Sequence, residues 1–144
     1  MSSPSAACGR FLVAALQEDG VLPNAYGASG EKRVYEGQAS GELPDYPLVT
    51  FQNTAEGGVA HKIGNAGWFK AEPVYVVRVF ASAEDELDEG VEGVILALDG
   101  ASGTVTGLDI SCRFTGEKAT TPEEPGSGET VYGKSLTFRF YVTR

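Results

Sequence analysis

The chain contains a single histidine, His61, as a candidate catalytic base or metal ligand. A zinc site needs several Cys or His ligands, and no cluster of them lies near His61. A Ser-His-Asp or Cys-His scheme would have to use this residue, and the chain contains no nucleophile-elbow sequence. We therefore expect His61 to be an exposed loop residue, and we keep a hydrolase that uses it as an alternative.

Carboxylates are abundant in two runs, residues 84–89 and the pair Glu123 and Glu124. General acid–base catalysis by a carboxylate pair requires one carboxyl group in an apolar pocket that raises its pKa. The first run stands at the start of a predicted helix and the second in a polar loop, so both are expected to be solvated. Residues 27–32 lack the spacing of a phosphate-binding loop. The sequence thus predicts no enzyme activity, no cofactor and no metal.

The composition is that of one folded domain spanning residues 1–144, with a net charge of −9. Its eleven Lys and Arg are scattered without a basic run, which argues against nucleic-acid binding by counterion release. The acidity indicates either simple solubility or a surface that DNA passes without adhering. No apolar run approaches the length of a membrane span. Cys8 and Cys112 each fall on an apolar face, so we predict buried, reduced thiols rather than a disulfide.

The element around which the chain is organised is a strand followed directly by a helix, from Val74 to Gly100. The strand VYVVRVFA is rich in β-branched and aromatic residues. Ser82 is the predicted N-cap of the helix, and the acidic run in the first turns suits the helix dipole. An apolar stripe follows at helical spacing, and Asp99 with Gly100 is predicted to end the helix.

Other periodic segments complete an α+β architecture. Residues 4–18 form a predicted amphipathic helix, residues 48–52, 108–114 and 136–143 form predicted strands, and residues 33–35 are a short candidate strand. These elements predict a mostly antiparallel four-stranded sheet covered on one face by two α-helices. Two long loops or arms are expected at residues 53–72 and 115–133, the second of them containing Glu123 and Glu124.

Three pairs of residues are candidate contacts with a partner. One is Glu123 and Glu124 of the second long loop, and the other two have no obvious structural role. Trp68 and Phe69 stand in a polar, glycine-rich segment, where they either anchor the loop to the core or dock on another protein. Gly90 and Gly93 lie inside the predicted helix, where each costs about 1 kcal/mol relative to alanine. They permit close packing of that helix either on the sheet or on a neighbouring subunit.

At this level of detail the chain resembles the small tail-completion or tail-terminator proteins of long-tailed bacteriophages. The resemblance rests on LPDYPLVTFQ at residues 43–52, VRVFAS at residues 77–82 and the acidic-started helix that follows. It extends from Phe11 to Leu98 and, more loosely, over the last strand. The segments 53–72 and 115–133 depart from the family pattern.

The resemblance implies a structural protein without catalytic residues. Members of that family form a ring, typically a homohexamer, that caps the tail tube and stops its polymerisation. The implied partners are further copies of the chain, the tail tube protein and the head-completion or connector proteins, while DNA passes through without specific binding. The implied location is the head-proximal end of the virion tail. Another ring component of the connector or tube is the nearest alternative, and a small monomeric binding module is an alternative of another class.

Overall fold

The computed structural model describes residues 4–17, 34–36, 48–55, 61–63, 68–119 and 131–143. Its elements are α1 (Pro4–Leu16), β1 (Val34–Glu36), β2 (Leu48–Ala55), β3 (His61–Ile63), β4 (Trp68–Ala71), β5 (Val74–Ala81), α2 (Glu84–Leu98), β6 (Ser102–Val105), β7 (Leu108–Ala119) and β8 (Tyr132–Thr143). The strands form one sheet in which β1–β2 is parallel and the other pairs are antiparallel.

The sheet is wider than the four strands predicted from the sequence. Its eight strands occupy six positions, because β4 and β5 lie one after the other along the same edge of β8. On the far side of these two strands, β3 pairs with β4 and β2 pairs with β5. The order across the sheet is therefore β1, β2 with β3, β5 with β4, β8, β7 and β6. The α+β class is confirmed, and the strand number is corrected from four to six positions.

One face of this sheet carries the core. Along β5, and along β8 from Leu136 onward, every second side chain is buried, as expected for strands with one covered face. Both helices contact this sheet and each other, so they form the covering layer. Phe140 of β8 makes edge-to-face contacts with Phe11 of α1 (6.2 Å between ring centroids) and with Tyr75 of β5 (5.4 Å). Such pairs add to the stabilisation from buried area alone.

Helix α2 begins one residue later than its sequence suggests. Its N-cap is Ala83, in an extended conformation and without a side-chain hydrogen bond, so the prediction of Ser82 as the cap is wrong. Three carboxylates in the first turn still oppose the helix dipole. The predicted end is confirmed: the backbone N–H of Asp99 donates to Ile95 O, and Gly100 has a φ of +78° that favours glycine.

The two predicted loops are shorter than their sequence composition indicates. The segment 53–72 contains the end of β2 and all of β3 and β4. In the segment 115–133, β7 continues to Ala119 and β8 begins at Tyr132, so strands occupy both ends of that predicted loop. Residues 120–130, with Glu123 and Glu124, lie outside the described residues. Backbone pairing with β8 explains the extra length of β7, because it holds these polar residues in strand geometry although they have no apolar pattern.

A tight hairpin joins β6 to β7. Val105 pairs with Leu108, and the two residues between them, Thr106 and Gly107, have φ angles of 49° and 82°. Positive φ at both central residues is the geometry of a type I′ turn, which favours Asn-Gly. Thr106 is β-branched and therefore strained in this position, whereas Gly107 is suited to it.

We predict that the two turn residues respond in opposite directions to substitution. Thr106→Asn should raise the free energy of unfolding by about 0.5–1 kcal/mol, because asparagine tolerates the left-handed region. Gly107→Ala should lower the free energy of unfolding by about 1 kcal/mol, because alanine is strained at positive φ. Urea denaturation of the two variants beside the parent chain measures both effects. A Thr106→Asn variant less stable than the parent would contradict the turn assignment.

The cysteine thiols lie in the core, as the sequence predicts. Neither Cys8 on α1 nor Cys112 on β7 forms a disulfide, and both are fully buried. Burial, helped by the nearby Cys8 thiol and by Asp99, raises the pKa of the Cys112 thiol from 9.0 to about 12. The thiolate is the reactive form of cysteine, so Cys112 is expected to be inert toward alkylating reagents in the folded protein.

The raised pKa of Cys112 predicts a loss of stability at alkaline pH. Between pH 9.0 and about 12 the unfolded thiol ionises while the folded thiol keeps its proton. The unfolded state then binds fewer protons, so the free energy of unfolding falls by up to about 1.4 kcal/mol per pH unit, with no such change below pH 9. Denaturation of the parent and of Cys112→Ala at pH 8.0 and pH 10.5 isolates this contribution. A pH-independent difference between the two proteins would refute it.

Candidate assembly surfaces

The residues whose side chains could take part in catalysis do not converge on one site in the part of the chain that the structure describes. His61 lies in β3 with Lys70 as its cross-strand partner, and its side chain lies outside the described residues. No group of His, Cys, Asp and Glu among the described residues could hold a metal ion. Within the same residues, no helix is long and apolar enough to cross a membrane. The functional features of this chain are therefore sought on its surfaces.

A shallow polar depression of about 360 Å³ lies over β6, β7 and the end of β8. Asp109 is its acidic residue, and its carboxylate accepts a hydrogen bond from Thr104 Oγ1 at 3.2 Å. Its other polar lining residues are hydroxyl-bearing: Ser102, Ser111, Tyr141 and Thr143. The hydrogen bond joins neighbouring strands of an exposed hairpin, which gives Asp109 a structural role.

A long interrupted hairpin places the first pair of candidate contact residues. One arm of this hairpin is β2 followed by β3, and the other is β4 followed by β5. β4 pairs with β8 only at Lys70 and Ala71, whereas Trp68 and Phe69 pair with β3 alone among the described residues. Trp68 and Phe69 therefore lie past the last registered pair with β8, toward the tip of the hairpin. This placement leaves both predicted roles, loop anchor and docking residues, open.

The second long hairpin, β7–β8, has its tip at the opposite end of the sheet. Along β8, Tyr132 pairs with Ala81 near one end, and Thr143 pairs with Lys70 near the other. The strands that lead into residues 120–130 meet at the Tyr132 end, and those that lead to residues 64–67 meet at the Thr143 end. The strand ends that flank these two segments are thus separated by the length of β8.

Helix α2 places the two candidate glycines differently. Gly90 is buried with the apolar stripe of the helix, so it packs within this chain, whereas Gly93 is half-buried. One turn beyond Gly93, Leu96 projects from the outer side of the helix with 74% of its surface exposed. Exposed carboxylates, including Glu89 and Glu92, share that side. The outer side of α2 is therefore acidic, with one large apolar side chain.

The sheet face opposite the helices carries an unusual pair of cations. Arg113 of β7 and Arg139 of β8 are direct cross-strand partners, and both are exposed. Like charges directly opposite each other destabilise a sheet. No carboxylate among the described residues forms an ion pair with either arginine; the ion pair of these strands joins Lys134 to Glu117 at 3.8 Å, on the other face. The open face thus presents concentrated positive charge on an acidic protein.

The sequence did not predict the pairing of Arg113 with Arg139 or the exposure of Leu96. The alternating pattern of β7 and β8 does show that both arginines point away from the core. Their pairing depends on the register, which the sequence does not specify. Leu96 was detectable, since it is an apolar residue outside the helical stripe that ends at Leu98.

Comparison with known proteins gives a match of fold. No protein-family model matches the chain, and no curated protein sequence does so. A solved structure described as the virion of a native gene transfer agent particle contains a similar chain, with 18% sequence identity and a TM-score of 0.69. The alignment covers 100% of both chains. At this level of identity the match shows that the two chains share a fold over their whole length.

We predict that replacing one of the paired arginines stabilises the isolated subunit. Arg113→Glu exchanges a like-charge cross-strand pair for an opposite-charge pair, which should raise the free energy of unfolding by about 0.5–1 kcal/mol at low salt. Arg113→Gln, which only removes the repulsion, should give a smaller gain. Both gains should shrink in 1 M NaCl, where exposed charges are screened. Denaturation of dilute protein at two salt concentrations tests this, and destabilisation by Arg113→Glu would contradict it.

Proposed function

We propose that this chain is a structural virion protein of a tailed, phage-like particle. In this proposal it assembles as a ring, typically of six copies, at the head-proximal end of the tail. The ring caps the tail tube, ends its polymerisation and joins the tail to the head-completion proteins. The protein acts by assembly and not by catalysis, it needs no cofactor, and DNA passes through the ring without specific binding.

The observation that carries the proposal is the full-length likeness to a chain of a gene transfer agent virion. The alignment leaves no part of either chain uncovered, so the comparison concerns the entire protein and not a shared submotif. The sequence resemblance to tail terminators points in the same direction and is independent of the structural comparison. Together they favour a virion component over a monomeric binding module.

The arrangement of the two long hairpins supports a joining role. The strand ends that lead into residues 64–67 lie near Thr143 of β8, and those that lead into residues 120–130 lie near Tyr132, at the opposite end of the same strand. A ring built from such subunits has one hairpin available to each of two different neighbours. Segments that order on assembly can wrap a partner surface, at an entropic cost.

Another ring component of the head–tail connector or of the tail tube is the second candidate, because the matched structure is described as a whole virion. The two candidates differ in their effect on tube growth. A terminator binds the tube end and stops polymerisation, whereas a tube protein is incorporated along its length. Electron microscopy of tubes grown with and without the protein distinguishes these behaviours.

We predict that the purified protein forms closed rings and that each hairpin tip serves a different junction. Replacing residues 121–129 by Gly-Ser-Gly should leave ring mass unchanged and reduce binding to one neighbour at least tenfold. Replacing residues 64–67 by Asn-Gly, which suits a two-residue hairpin between Ile63 and Trp68, should do the same for the other neighbour. Native mass spectrometry and co-sedimentation with tube and connector proteins measure the two effects.

His61→Ala serves as the control for the enzymatic alternative. It lies in the same hairpin as residues 64–67 but should retain ring formation and both junctions. A protein that stays monomeric alone and with its tail partners would rule out the ring. Loss of a measurable hydrolytic activity in His61→Ala, with assembly intact, would favour the hydrolase.

A further inference from the structure

The two outer surfaces of the subunit have opposite charge. Among the described residues, the paired strands place five cations and one carboxylate on the open sheet face, namely Lys70, Arg78, Arg113, Lys118 and Arg139 with Asp109, and Glu72 lies between β4 and β5. The first three turns of α2, on the other side of the sheet, carry six carboxylates, namely Glu84, Asp85, Glu86, Asp88, Glu89 and Glu92. No Lys or Arg occurs between residues 84 and 112. The subunit therefore has one positively charged and one negatively charged surface, although its net charge is −9.

The open sheet face combines its charge with apolar surface. Val74 is the cross-strand partner of Arg139, and Val76 and Phe80 follow on the same face of β5. All three apolar side chains are only half-buried. Large apolar residues beside arginine are the composition of protein interface cores. A phosphate backbone makes no favourable contact with these apolar side chains, so the composition favours a protein over a nucleic acid as the occupant of this face.

The repulsion between Arg113 and Arg139 points to an acidic occupant. The pair is exposed and has no ion-pair partner among the described residues, so its unfavourable energy is not offset within that part of the chain. An acidic surface placed over both guanidinium groups would offset it with charge-assisted hydrogen bonds. The outer side of α2 offers such carboxylates together with an apolar side chain, Leu96, that is 74% exposed.

We propose that the outer side of α2 in one copy of this chain docks on the open sheet face of the next copy. Glu89 and Glu92 then oppose the Arg113–Arg139 pair, and Leu96 meets the half-buried apolar residues of β5. The two surfaces lie on opposite sides of one subunit, so the contact is head-to-tail and repeats from copy to copy. Such heterologous contacts close into rings when the rotation between copies permits it. The inference rests on the proposed ring and assigns the contact that builds it.

A charge-swap experiment tests this contact. Arg113→Glu alters only the sheet surface, and Glu92→Lys alters only the helix surface. Each variant alone should raise the dissociation constant of copy–copy association at least tenfold. An equimolar mixture should recover it, because alternating copies pair the variant sheet with the variant helix and the native sheet with the native helix. Native mass spectrometry should then show oligomers with an even number of copies, three of each variant in a hexamer.

Matched controls separate this contact from general charge effects. Arg10→Glu makes the same change in net charge as Arg113→Glu, but on α1, outside both surfaces, and it should assemble as the parent does. Thermal unfolding shows whether each variant is folded, and the melting temperature of Arg113→Glu should be no lower than that of the parent. Copy–copy association of the parent should be weaker in 0.5 M NaCl than in 0.05 M NaCl, because salt screens the attraction between the two charged surfaces.

The other outcomes overturn the proposal in distinguishable ways. If Arg113→Glu and Glu92→Lys each assemble as the parent does, or if the mixture fails to recover association, the contact is wrong while the ring remains. If the parent never oligomerises, both the proposed contact and the proposed ring are wrong. If Arg113→Glu abolishes salt-dependent binding to duplex DNA and leaves association intact, the open sheet face is a nucleic-acid surface.

Discussion

The structure depends on the burial of one side of β8. Its alternate side chains Leu136, Phe138, Phe140 and Val142 have no exposed surface, and its backbone pairs on both edges. Phe140 in particular touches both α1 and β5 through its ring contacts. Because adjacent residues of a strand point to opposite faces, this burial also fixes what the outer face must carry. The same register that closes the core sets Arg139 beside Arg113.

Fold and function consequently use different residues in this chain. The core is closed by apolar side chains from both helices and from the central strands. The charged residues on the open face and on the outer side of α2 contribute little to that core. They are free to serve association, and the energetically unfavourable arginine pair is best explained as part of a surface completed by another molecule. The strand ends that flank residues 64–67 and 120–130 likewise lie at opposite ends of the sheet.

The sequence predicts the parts of this fold that are defined by apolar periodicity. The helices α1 and α2 and the strands β5 and β8 were identified because each must bury a face of its own. β6 escaped detection because its residues SGTV are mostly exposed and are held by pairing with β7. β3 and β4 escaped for a similar reason, since their geometry comes from strand partners that are distant in sequence. The four-strand sheet predicted from the sequence therefore became six positions wide.

The candidate surfaces were predicted less completely. Trp68, Phe69 and Gly93 were singled out by residue type, and Gly90 proved to be buried against its own chain. The Arg113–Arg139 pair could not be anticipated, because a register shift between Phe114 and Gly116 determines which residues of β7 and β8 face each other. A bulge of this kind leaves no reliable trace in the sequence.

The positions of the strand ends that flank residues 64–67 and 120–130 also determine how the subunit bears mechanical load. A pulling force applied between these two sets of strand ends runs parallel to the strands. β5 and β8 are joined by eight consecutive registered pairs, from Val74–Arg139 to Ala81–Tyr132. Force in this direction loads their hydrogen bonds together, in shear, whereas force across the sheet opens them one after another. The subunit is thus mechanically strongest along the line that connects its two hairpins.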